Sequence, residues 1–346
     1  MFYTMYGNVF RCVLSGTGRT HIVRLGLNAC VVWFWVVQAA CGQPHVIFLG
    51  RPVSAIAFTP DGTIFCATDN EIQVRQRDGS PTKRVLKGHT KKIFSLDAHP
   101  KMNLLVSGGV DGMIRLWDLT GAKDNKDIKS KPLYAGDVVF AVRFSPSGDF
   151  LAAATTEGLH VWKKQGHEWI QARLAAKDIP VEDDFPVSIA FRPKSHEVAA
   201  GYRYGRVRVW DLQTNRVVKT LEPHRADSTV VPICFSPDGK LLASAALEPE
   251  EKRIVVTDVE KGKRRYKIKA RATALAFVGR NGELLAAGTE NGGIKYWERK
   301  NRFALTDVGT GRPHLKSVTS IWQRGNQLVS ASDDGGIIFL DIPTIR

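Results

Sequence analysis

A chain of 346 residues that is 43% apolar can bury a large core, which excludes a segment too short or too polar to fold by itself. Its 49 Lys and Arg outnumber 34 Asp and Glu for a net charge of +15, a balance that draws polyanions such as nucleic acid, acidic glycans or lipid headgroups. The nine histidines contain no His-x-His, no H-E-x-x-H and no Cys/His pair at ligand spacing, and no Gly-rich phosphate loop follows a strand and opens a helix. No metal and no cofactor are expected.

The N-terminus is a separate object. Arg11, Arg19, His21 and Arg24 precede LGLNACVVWFWVVQAA (residues 25–40), and small residues follow at Ala39, Ala40, Cys41 and Gly42. A basic region, an apolar stretch and a small-residue site predict a secretory signal peptide over residues 1–42. The fully apolar run, Ala29 to Val37, is short against the roughly 20 residues of a bilayer span. The alternatives are an uncleaved anchor through residues 25–40 and a lipidated Cys41, although Gln38 stands where an aliphatic residue is expected. The protein is therefore expected to be exported, to the periplasm, the envelope or the medium. Membrane contact would come only through this segment. Removing it takes three arginines and no acid, leaving +12. Of five cysteines only Cys66 and Cys234 would remain, too far apart in the repeat to bridge, and two buried free thiols are expected.

From residue 45 the chain is a series of short apolar runs. HVIFLG (45–50) comes first, then VSAIAF (53–58) with its turn Thr59-Pro-Asp-Gly. GHTKKIFSLDAHPKMNLLVSGGVDGMIRLWD (88–118) follows, then AVRF (141–144), Ser145-Pro-Ser-Gly and FLAAAT (150–155). VSIAF (187–191) leads to EVAAGY (197–202) and RVRVWD, and Ser236-Pro-Asp-Gly to a run after the insertion LEPEEKR, which loosens the register. ALAF (274–277), Arg280-Asn-Gly, ELLAAG (283–288) and GIKYW come next, and GIIFLD ends the series near Ile342. Runs this short, joined by Asp-Gly and Asn-Gly, are hairpin strands and exclude a helical array. An apolar anchor recurs at Ile56, Leu96, Val142, Ile189, Ile233, Leu275 and Ile321, at spacings of 40, 46, 47, 44, 42 and 46 residues.

That period, with Gly88-His89 near the start of a copy and Trp117-Asp118 near its end, resembles the tryptophan-aspartate (WD) repeat β-propellers over roughly residues 45–346. The Trp position falls at Arg75, Trp117, Trp162, Trp210, Thr257, Trp297 and Leu340, and only Trp117-Asp118 and Trp210-Asp211 keep both letters. The resemblance implies an all-β, seven-bladed propeller of four-stranded antiparallel blades over residues 43–346. Copy seven has no residues left for its outer strand, so residues 45–50 are expected to supply it and close the ring.

By the same resemblance, His89, Ser107, Asp111 and Trp117 form a buried structural tetrad. A protease triad is rejected, because Ser107 lies within a strand and Trp117 supplies its partner. Copy seven offers His314, Ser330 and Asp334 but Leu340, and copy four keeps Trp210 but has Ala200 and Tyr204. Copy three has Asp137 and Thr156 at the His and Asp places. Glu182-Asp183-Asp184 reads as a solvated loop.

The expected function is a non-catalytic scaffold that presents its top face to a protein partner. WD propellers contact partners beside the first apolar position of each inner strand. That register gives Lys92, Phe94, Val138, Phe140, Phe185, Val187 and Val231, and the turn beside copy four adds Tyr202, Arg203 and Tyr204. The alternative is an envelope module that binds an anionic polymer. Its stripe would be Lys263, Arg264, Arg265, Lys267 and Lys269, a stretch that also reads as the charged guard of an outer edge strand. No aromatic platform lies beside it, so nucleic acid is not expected. A propeller enzyme, a lactonase or glycosidase, ranks last because no paired carboxylates recur at matching positions.

Overall fold

Apolar runs of four to six residues separated by tight glycine turns can bury one another only by folding back in antiparallel order, and this chain does so seven times. The computed structural model describes residues 3–6, 9–12, 45–120, 128, 130–172, 184–246, 248, 251 and 253–344. Two compact units divide the chain, residues 1–42 and 43–346. In the first, Tyr3–Tyr6 pairs antiparallel with Val9–Cys12. The apolar run Ala29 to Val37, Cys41, Glu182 and Asp183 lie outside the described residues.

The second unit is a propeller of seven four-stranded sheets. Blade one covers residues 55–87, blade two 93–135, blade three 139–172, blade four 186–221, blade five 230–268 and blade six 274–311. Blade seven takes three strands from residues 318–341 and its outermost from His45–Phe48, with Ile47 opposite Ile337. The Leu49 amide then donates to the Gly335 carbonyl at 2.9 Å, continuing the pairing past the strand. The insertion before Thr257 leaves the register intact, since Thr257 faces Leu242 as Trp117 faces Leu105.

Each blade is too thin to own a core. The second strands Ile64–Thr68, Phe150–Thr155, Leu241–Ala246 and Leu284–Gly288 are buried along their whole length, because a neighbouring blade covers each face. Seven apolar clusters result, one between each pair of adjacent blades. Outer strands alternate instead: in Lys263–Ile268 the Tyr266 and Ile268 side chains turn inward and the bases outward. Among the turns, Gly112 (φ 73°) needs glycine twice over, since a Cβ there would also collide with the Gly136 carbonyl of the next loop.

Candidate interaction face

The polar groups that hold the blades come first. His89 enters from the loop before blade two, and its Nδ1 bonds the Asp111 carboxylate at 2.9 Å while Nε2 meets Ser107 Oγ at 2.7 Å. The Trp117 indole N–H donates to the same hydroxyl at 2.9 Å, and the Thr90 amide donates to Asp111 at 2.9 Å. Burial holds the His89 imidazole below its ordinary pKa against the pull of Asp111. Burial also pushes the Asp111 carboxyl up, but the Thr90 amide and His89 outweigh it and keep it ionised. Ser107 is fully buried, so its hydroxyl reaches no substrate.

Blade seven repeats the relay without the indole, with His314 Nε2 at 2.8 Å from Ser330 Oγ and Nδ1 at 3.3 Å from Asp334. Blade five carries one that the sequence reading missed. His224 Nε2 lies 3.0 Å from Ser244 Oγ, and its Nδ1 3.1 Å from Glu251, which also accepts from the Arg225 amide and the Ser228 hydroxyl. The visible signal was His224 standing 20 residues before its serine, against 18 in blade two. The acid went unseen because it is a glutamate inside the insertion. In blade three the places are exchanged: the Thr156 hydroxyl donates to Asp137 at 3.0 Å.

Blade four corrects two expectations. Asp184 is not solvated; it is buried and accepts from Arg208 at 3.1 Å, with Arg206 at 3.6 Å. Tyr202 is not on the surface either: it is fully buried, its ring beneath the Arg208 guanidinium at 4.4 Å. With Ala200 in the serine place, the Trp210 indole N–H finds no acceptor, and the Tyr202 hydroxyl is likewise unpaired. A third correction concerns the thiols. Cys66 is buried but Cys234 is half-exposed, on an inner strand.

The remaining residues of the expected partner face stand at or beside the starts of the inner strands of blades two to five, or in the turn after the second strand of blade four. Lys92 and Arg203 are exposed, Phe94 is 37% exposed, and Val138, Phe140, Phe185, Val187, Val231 and Tyr204 are half-buried. Three of them form a ladder across three blades. The Phe94 and Phe140 rings stack with centroids 6.3 Å apart and planes within 8°, and Phe140 and Phe185 at 5.5 Å and 6°. Arg203 caps the row, its guanidinium 5.1 Å from the Phe185 ring and 6.0 Å from Tyr204. On the other side of the ring the equivalent places carry hydroxyls that tie one blade to the next. Thr273 donates to the Val318 carbonyl, Thr319 to Val53 and Ser54 to Ile93, each at 2.6 Å.

The basic outer strand of blade five keeps Lys263, Arg264, Arg265, Lys267 and Lys269 exposed. Its arginines are engaged, Arg264 with the Glu222 carbonyl and Arg265 with Asp258 at 3.6 Å. Among the described residues no cluster of three or more His, Cys, Asp or Glu is placed to hold a metal ion.

A ring of four-stranded blades closed by an N-terminal strand and clamped by a Trp-Ser-His-Asp network defines a WD-type propeller. Residues 80–118 match the WD domain, G-beta repeat profile, and residues 189–279 that of the anaphase-promoting complex subunit 4 WD40 domain. These two matches, with the WD-repeat relatives that follow, support a WD-repeat β-propeller family for this chain. It is 32% identical over 178 residues to WD repeat-containing protein SL1-17 of Schistosoma mansoni, covering 51% of this chain and 54% of that one. It is 34% identical over 129 residues to small ribosomal subunit protein RACK1 of Candida albicans, covering 37% and 39%. The chain thus spans about half or less of the length of these curated relatives. The crystal structure of the Myceliophteria thermophila Cps50 (Swd1) β-propeller domain superposes with a TM-score of 0.71 over 87% of this chain and all of that one, at 17% identity, and shows the fold.

Proposed function

We propose that this protein is a non-catalytic interaction scaffold that captures a protein partner on the top face of blades two to four. The observation that carries this reading is the aromatic ladder of Phe94, Phe140 and Phe185. Three large apolar rings at one mouth of the ring, capped by an arginine, have the composition of a binding hot spot. The buried relays support it from the other side, since the Ser and His groups that could act on a substrate are already spent on one another. The outer strand of blade five is better explained as a charged edge guard, because both its arginines are tied down locally.

The test changes Phe94, Phe140 and Phe185 to Ser together and compares cross-linked complexes formed in extract of the source cells. Thermal unfolding close to wild type with loss of the complexes is the expected result. Unchanged complexes would move the site elsewhere on the ring.

A further inference from the structure

The ladder is more specific than a greasy patch, and three features define what fits it. The first is spacing. Its rungs stand 6.3 and 5.5 Å apart in one row, and an extended chain presents same-side residues every ~6.6 Å, two residues at about 3.3 Å each. The second is the direction of the rings. Their planes lie within 8° and 6° of parallel, and all three rings are at least partly exposed, so they offer a partner apolar surface against which aliphatic side chains can seat.

The third is charge at the two ends. Lys91 and Lys92 are exposed beside the Phe94 end, and Arg203 is exposed at the Phe185 end. No carboxylate among the described residues pairs with any of the three within 4.0 Å. Among the described residues, the buried carboxylate of Asp184 at that end serves Arg206 and Arg208 and not Arg203. In the intervening blade the exposed Asp137 accepts the Thr156 hydroxyl at 3.0 Å, so its negative charge faces the middle of the row and not its ends.

Resting on the reading above, we infer that the partner's contact is an extended acidic segment with apolar side chains at alternate positions and carboxylates at both ends. The apolar row lies along Phe94, Phe140 and Phe185, and the carboxylates meet Lys92 and Arg203. The segment docks as a linear motif, its backbone solvated, and the attraction of its ends weakens with salt.

Fluorescence anisotropy with a labelled Glu-Glu-Leu-Ser-Leu-Ser-Leu-Glu-Glu peptide and the full chain tests this. The expected result is binding about tenfold or more tighter than that of the same core flanked by lysines. Binding should be lost with a serine core or in Phe140→Ser. The paired change Lys92→Glu and Arg203→Glu, at exposed positions that leave folding intact, should abolish the preference for acidic flanks. Equal binding of both peptides, a preference that survives the paired change, no binding of the acidic peptide at all, or its displacement by an oligothymidine would each overturn the inference. Equal binding that Phe140→Ser still removes would leave the ladder as the docking site and reject only the charge. Cross-linked complexes that ignore the ladder substitutions would reject the docking site itself.

Discussion

Ser107 Oγ accepts from Trp117 and meets His89, so removing either partner leaves a buried polar atom unmet as well as a void. Trp117→Ala or His89→Ala is expected to cost about 2–4 kcal/mol, read from urea unfolding midpoints. Little change would show that blade two is held by apolar packing. Asp97 gives a test of opposite sign. Its carboxylate accepts the Phe144 amide at 2.7 Å from the next blade, and burial pushes its pKa up to about 6 despite Arg143. A raised carboxyl stabilises the fold fully below its unfolded value of about 3.8 and loses that contribution as pH rises through about 6. Asp97→Asn keeps an oxygen for the amide and removes the titration. The stability of wild type minus that of Asp97→Asn should therefore grow as pH falls from 7 to 4, by up to about 3 kcal/mol. A gap that stays flat or shrinks over that range would contradict it. At this scale the sequence was legible where it kept the motif of the family it resembles: His89, Ser107, Asp111 and Trp117, the tetrad that the resemblance implies, are bonded into one network. Glu251 was hidden because an insertion moved the acid, and Asp184 because its burial depends on Arg208, 24 residues away on a different strand.

Between blades, the ring divides its labour by element. Blades six, seven, one and four are stitched to the next blade by hydroxyls from Thr273, Thr319, Ser54 and Ser188, and blades two, three and four also stack their rings. Hydroxyl stitches turn inward and leave nothing for a partner to grip, whereas the rings stay partly exposed. Thr319→Val keeps the shape and removes the bond to the Val53 carbonyl, so it should cost about 1 kcal/mol. The same exchange at Thr63, whose hydroxyl bonds only the neighbouring Asp61 at an exposed turn, should cost less. Equal losses in thermal unfolding would show that the stitch contributes nothing. The alternation of small and apolar residues around the ring was readable from the chain. The parallel stacking was not, because each ring's neighbour lies some 45 residues away and the ring planes depend on both inner strands. Blade four shows the same limit: its missing serine was plain, but the Asp184–Arg208–Tyr202 cluster that replaces it appears only when three strands meet.

Over the whole molecule, stability is shared among seven interfaces between neighbours, and the ring has one seam, in blade seven. The missing outer strand of copy seven was enough to place the seam from sequence, because no other run could fill it. If residues 1–42 are a secretion signal, mass spectrometry of the mature protein should find its N-terminus near Gly42, and the closing strand, which begins at His45, would survive the cut. An intact N-terminus on a cytosolic protein would refute that. The seam itself separates two neighbouring residues. Ile47 is 6% exposed and packs with Val329, Ile337 and Phe339 in the cluster shared with blade one, whereas Phe48 on the alternate face is 68% exposed. Ile47→Asp puts a carboxylate into this apolar cluster and should cost about 3 kcal/mol or more. It should also free the edge of Gly336–Asp341 for pairing with other chains, so that aggregates form below the unfolding temperature. Phe48→Ser removes a larger side chain from the same strand and should leave unfolding nearly unchanged, because water already covers most of it. Thermal unfolding with light scattering on both variants decides the matter. Similar behaviour of the two would mean that the strand does not seal the ring, whereas loss confined to Ile47→Asp ties closure to one buried face of four residues.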